Sequence, residues 1–196
     1  MVNKNNKAKG ILIISLYIFL IALSKIIPHQ ENYSALTGLV IFGGFMFGKK
    51  RDFFFITLAA LFIVDVIFNN YIHREYFPEK TGFILFDDYM IWVYLSYLLI
   101  ILMSSRILNK FNYLRLLFTT LGSSIVFFLI TNFSWLYSTQ LYSRDFNGLI
   151  QSYIAAFPFF RTSLISDLFF SFLIFGVYDL FLSRYFLKST VYSINK

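Results

Sequence analysis

Asp65 and Asp167 are ionisable side chains inside runs that are otherwise apolar, Phe53–Phe68 and Ser163–Leu182. A carboxylate at membrane depth costs at least about 2.5–3.5 kcal/mol on insertion scales, so it faces a bundle interior or a wet cavity and marks function by default. Two such groups can line a binding site, close an interhelical hydrogen bond, or act as an acid–base dyad if near enough to share a proton. Other polar residues accompany them: Lys25, His29, Asn32, Asn69, Asn132, Trp135 and Arg161. Ser163, Asp167 and Ser171 are spaced i, i+4, i+8, which is one polar stripe on a helix. The His29/Glu31 and His73/Glu75 pairs offer nitrogen and oxygen donors. With no cysteine and no H-E-x-x-H helix they fall short of a metal signature, and no metal is expected. G-x-S-x-G, a P-loop and a glycine-rich nucleotide loop are all missing, so neither an enzyme nor a cofactor is expected, and any coupling energy must come from partners or an ion gradient.

The elements that position these residues follow from composition. Of 196 residues, 58% are hydrophobic and 22% aromatic against 14% charged, outside the range of soluble domains. The reading is an all-α integral membrane protein with one polytopic domain over the whole chain. Apolar runs give six transmembrane helices: Ile11–Ile27, Ser34–Phe47, Phe53–Phe68, Asp88–Met103, Leu114–Asn132 and Ser163–Leu182. The second is short and glycine-rich. Its Gly44/Gly48 pair suits close helix contact and burial among neighbours. Gly148–Pro158, too short to span, reads as an interfacial helix over the outer face.

Charge sets the orientation. Lys4, Lys7 and Lys9, then Lys49, Lys50 and Arg51, then Arg106, Lys110 and Arg115, then Arg184, Lys188 and Lys196 fall in alternate linkers. These hold 12 of the 17 basic residues, and by the positive-inside rule they are cytoplasmic. Both termini are therefore expected inside, and the net charge of +7 is a topology signal, not a sign of nucleic-acid binding. A cleaved signal peptide ending near Ala22-Leu23-Ser24 is the less favoured reading of the first run, because cleavage breaks this alternation.

In that frame Asp65 lies about 18 Å from the inner edge of its helix and Asp167 about 6 Å below the outer edge, at about 1.5 Å per residue. They share the outer leaflet with His29, Asn32, Asn69, Asn132, Trp135 and Arg161. The inner halves of the spans are expected to hold few polar groups. An outward pocket closed on the inside, binding a small polar substrate, is the expectation. A structural polar network remains an alternative for the two aspartates. So does snorkelling to the head groups for Lys25 and Arg161, and an interfacial belt for Trp135.

Several motifs recur in one order: Pro28-His29, Asn32, Leu39–Gly44, Leu58–Leu61 with Asp65, Trp92–Ser96, Phe127–Phe133 with Trp135, Gly148–Ile150, and Ala155–Phe160 with Asp167. This order resembles a bacterial family of uncharacterised proteins assigned to transport, itself similar to the substrate-binding S components of energy-coupling-factor (ECF) vitamin transporters. The resemblance implies an S-component-like six-helix bundle in the bacterial inner membrane. It also implies an outward substrate pocket and an energising transport module as partner. Gly10–Ser24 lacks the paired small alanines by which S components typically dock that module. Two other readings stand beside transport: a membrane scaffold similar to S-component-like cell-shape proteins, and an intramembrane enzyme using the two aspartates as a dyad.

Overall fold

The structure is a computed structural model that describes residues 4–26, 32–47, 51–72, 74, 81–138 and 142–182. Six α-helices make up nearly all of it, and no strand occurs among the described residues. They are α1 Lys4–Ile26, α2 Leu36–Phe47, α3 Arg51–Ile67, α4 Asp88–Ile107, α5 Tyr113–Ser138 and α6 Phe146–Val177. α3 and α6 each run on into a π-helical turn, Phe68–Ile72 and Tyr178–Leu182.

Four of these rods are long and apolar enough to cross a membrane: Phe55–Ile72, Asp88–Ile107, Tyr113–Phe133 and Phe146–Leu180. Their polarity runs inside-out. Phe55, Ile63, Phe118, Ile125, Ile165 and Phe169 are exposed, whereas Ser96, Ser104, Thr119, Ser123 and Ser166 are buried. Water would penalise so large an apolar surface, and lipid does not.

α2 is the hub. Its 12 residues extend about 18 Å, too short for a core about 30 Å thick. It touches each of the other five helices, while among the described residues α1 and α6 do not meet. Three glycines let it do so. A Cβ on Gly38 would lie 3.1 Å from the Ser171 nitrogen on α6. One on Gly44 would lie 2.8 Å from the Ile101 carbonyl oxygen on α4, and one on Gly43 would meet the Tyr17 hydroxyl of α1. That hydroxyl donates to the Leu39 carbonyl at 3.1 Å and lies 3.3 Å from Thr57 Oγ1, which ties α1, α2 and α3 together. Gly44 thus makes the close contact its spacing implies, and Gly48 lies outside the described residues.

The expected interfacial helix and sixth span are one continuous helix of 32 residues that runs through Pro158. Proline removes one backbone donor, but contacts with a neighbouring helix support the rod on both sides of the gap. Before the proline, Tyr153 donates to the Leu129 carbonyl of α5 at 2.6 Å. After it, Phe160 packs on Phe128 with ring centroids 4.6 Å apart. The helix starts at Asp145, whose carboxylate accepts from the Gly148 nitrogen and the Ser143 hydroxyl, each at 2.8 Å. This N-cap satisfies an otherwise orphaned donor. Any Cβ on Gly148 would collide with the Ser143 carbonyl oxygen, so glycine is required where the loop folds onto the first turn.

Candidate functional site

The odd-numbered helices end, and the even-numbered ones begin, at one end of the bundle. There a cavity of about 840 Å³ opens, lined by residues of all six helices. At the opposite end, where Arg106, Lys110 and Arg115 flank the α4–α5 turn, aromatic rings close the bundle. Phe42, Phe45, Phe111, Phe175 and Tyr178 meet there with centroids 5.2–5.8 Å apart, in edge, tilted and stacked geometries suited to their quadrupoles.

Asp65 and Asp167 both line the cavity, and each has its own partners. Asp65, on the last turn of α3, is 2% exposed. Its Oδ1 pairs with the Lys25 ammonium of α1, and its Oδ2 accepts from the Tyr94 hydroxyl of α4 at 2.6 Å. Lys25 therefore turns inward to an ion pair instead of snorkelling. Asp167 accepts from Ser124 of α5 at 2.7 Å, with Thr37 of α2 and Tyr97 of α4 close by. An ionised carboxylate only accepts, so the Ser124 hydroxyl donates to it. The two carboxylates thus have separate partner sets, and no hydrogen bond joins them among the described residues.

The depth expected for Asp167 is corrected. Because α6 starts at Phe146, Asp167 lies about 32 Å along it, not one turn in. Its partner Ser124 stands about 17 Å from the Tyr113 end of α5, near the middle of that 26-residue helix. Asp167 is the cavity floor.

Of the remaining expected residues, Asn32, Asn69 and Asn132 line the cavity. Asn32 holds φ of 59°, a left-handed turn that asparagine tolerates, just ahead of α2. Asn69 is 4% exposed and accepts from Tyr89 at 3.0 Å. It sits in the π-helical turn, a feature often found at functional sites. Asn132 donates back to the Phe128 carbonyl at 2.8 Å. Arg161 does not join them; it is exposed on α6 and outside the cavity lining. His29, both His-x-Glu pairs and the Trp135 side chain lie outside the described residues. Among the described residues no three His, Cys, Asp or Glu side chains gather as metal ligands.

Sequence reasoning missed Thr37, Tyr89, Tyr97 and Ser124, all of which line the cavity. Tyrosines counted as aromatic bulk. Serine and threonine clusters in apolar helices did carry a signal, since Thr119-Thr120 and Ser123-Ser124 repeat at i, i+4. They also correct the expected scarcity of polar groups in the inner halves. There the buried Thr57, Ser104, Thr119 and Ser123 each hydrogen-bond to a helix carbonyl or to Tyr17.

Asn70, also missed, fixes the cavity rim. Its amide donates to the Val66 and Ile84 carbonyls at 2.8 and 2.7 Å and accepts from the Ile84 nitrogen at 2.7 Å. The loop ahead of α4 is thereby stitched to the end of α3.

The chain belongs to a family of unknown function, DUF6580, which it matches over residues 5–190. No characterised protein and no solved structure matches it.

Proposed function

We propose that this protein captures a small polar molecule from the outer side of the bacterial inner membrane, as a carrier or a substrate-binding subunit. In this reading all six helices lie in the membrane, S-component-like in arrangement. Both ends of the chain are cytoplasmic and the cavity faces outward. The observation that carries the proposal is the one-sided cavity, with a charge pair and carboxamides at one end of the bundle and an aromatic seal at the other. Its volume of about 840 Å³ falls in the range of small-molecule sites. The Lys25–Asp65 pair, Asn69 and Asn132 stand among the faces of Phe127, Phe128 and Phe159. That set suits a solute with a hydrogen-bonding or charged head on a ring or short apolar frame. Binding such a solute would offset the cost of holding these groups at membrane depth. An energising module is a possible partner by the sequence resemblance alone.

Thermal-shift and native mass-spectrometry screens of the purified protein against small polar heterocycles test this. A ligand should raise the melting temperature, and Asp65→Asn or Asn132→Ala should weaken it at least about tenfold, the loss of one or two hydrogen bonds. Undiminished binding by both variants would place the ligand elsewhere. Absence of any ligand, together with recovery of a cell-wall synthesis complex in a pull-down, would favour a scaffold instead.

A further inference from the structure

Beneath the cavity floor is a group of oxygens that solute capture does not require. Hydroxyls inside these helices mostly fold back onto their own backbone, the usual outlet for serine and threonine. Ser96 donates to the Trp92 carbonyl, Thr119 to Arg115, Ser123 to Thr119 and Thr131 to Phe127, each at 2.7 Å. Thr120 and Ser171 depart from this pattern. Both are fully buried, and among the described residues neither hydroxyl has a hydrogen-bond partner, an unfavourable state for a group taken out of water.

Their positions are related. Ser124 on α5 meets Asp167 on α6 at 2.7 Å, and the two helices run antiparallel. One turn further from the cavity mouth, helix periodicity puts Thr120 on the Ser124 side of α5 and Ser171 on the Asp167 side of α6. α2 closes the third side: Gly38 packs against the Ser171 backbone, and its neighbour Thr37 lies close to Asp167. Five side chains from three helices thus bring one carboxylate and four hydroxyls to adjacent turns. Asp65 has Lys25, but among the described residues no basic side chain pairs with Asp167, which is only 5% exposed.

We propose that Asp167, Thr37, Ser124, Thr120 and Ser171 form a binding site for a monovalent metal cation such as sodium. An oxygen-only donor set suits a hard cation and not a thiophilic one. One carboxylate among neutral hydroxyls supplies a single negative charge, so a monovalent ion neutralises the site. A divalent ion would leave excess charge at membrane depth. A proton on Asp167 would also cancel the charge, but it would leave Thr120 and Ser171 as they are. A cation between the helices gives both oxygens a partner. The site needs no organic solute, so its failure would leave the solute reading standing, and the reverse.

The test compares melting of the full-length protein in sodium chloride and in choline chloride at equal ionic strength. Sodium should raise the melting temperature saturably by about 5 °C or more, and Asp167→Asn should abolish the rise. Thr120→Val and Ser171→Ala guard against a simple folding defect. Each removes an unpartnered hydroxyl, so each should melt in choline at least as high as the parent yet need at least tenfold more sodium for the same shift. Identical melting of the parent protein in sodium and choline overturns the proposal. So does a full sodium response in a Thr120→Val/Ser171→Ala double variant.

Discussion

Lys25 and Asp65 neutralise each other where either charge alone would be stranded, and that asymmetry makes the pair testable. Removing one partner from a buried ion pair typically costs about 3–5 kcal/mol, because the survivor keeps its desolvation penalty without its counter-charge. Lys25→Met or Asp65→Asn alone should therefore destabilise strongly, and the double variant should recover most of the loss. A double-mutant cycle on reversible unfolding in mixed micelles measures the coupling; additive losses would show that the two side chains do not interact. The same pair sets the chemistry of a ligand. An ammonium on the solute competes with Lys25 for Asp65, and a carboxylate competes with Asp65 for Lys25, so either must break an existing contact to enter. The Tyr94 hydroxyl at 2.6 Å keeps Asp65 oriented in either case.

At the scale of elements, α2 and α6 carry the architecture in different ways. On α2 a methyl group at Gly44 would lie 2.8 Å from the Ile101 carbonyl oxygen, and one at Gly38 would press on the Ser171 and Phe170 backbone at 3.1–3.2 Å, so Gly44→Ala should cost about 1–3 kcal/mol through overpacking and Gly38→Ala less. Gly176 on α6 has nothing within 4 Å of an added Cβ. Gly176→Ala should therefore be neutral or stabilise by up to about 1 kcal/mol from helix propensity. Thermal unfolding of the three variants separates the two effects. α6 depends on its cap. The Gly148 N–H, and then the Ser143 hydroxyl, hold the Asp145 carboxyl below its ordinary value of 3.8. A depressed carboxylate contributes stability above that value and loses it as pH falls through the folded value. Amide protection in the first turn of α6, measured against the intrinsic exchange rate, should accordingly fall below about pH 4, and Asp145→Ala should lower it at neutral pH. These two helices also mark what the sequence could disclose. Short length and glycine spacing made the burial of α2 legible, and charges in apolar runs made Asp65 and Asp167 legible. Pro158 reads as a stop because local propensity says so, and only packing against Leu129 and Phe128 shows that the helix continues. Thr37, Tyr89, Tyr97 and Ser124 stayed hidden because tyrosine and hydroxyl side chains cost little in an apolar helix, and only their neighbours decide their role.

For the whole molecule, the basic α4–α5 turn underlies the proposed orientation, which labelling can check. The chain has no cysteine, so single cysteines give an unambiguous readout. Asn147→Cys, beside the cavity mouth, should react with an impermeant maleimide in intact cells. Asn109→Cys, in the α4–α5 turn, should react only after permeabilisation, and the reverse pattern would invert the proposed orientation. Once that orientation holds, the aromatic seal acquires an electrical meaning. Outside solution entering the cavity carries the outer potential down to its floor, so the membrane voltage falls chiefly across the Phe42, Phe45, Phe111 and Phe175 layer. Asp167 stands beside Ser124, near the middle of α5, and the work on an elementary charge across the full membrane is about 2.3 kcal/mol per 100 mV. Whatever fraction of that voltage reaches Asp167 acts on any ion there, and the thin ring layer bears the rest, as the dielectric of a capacitor does.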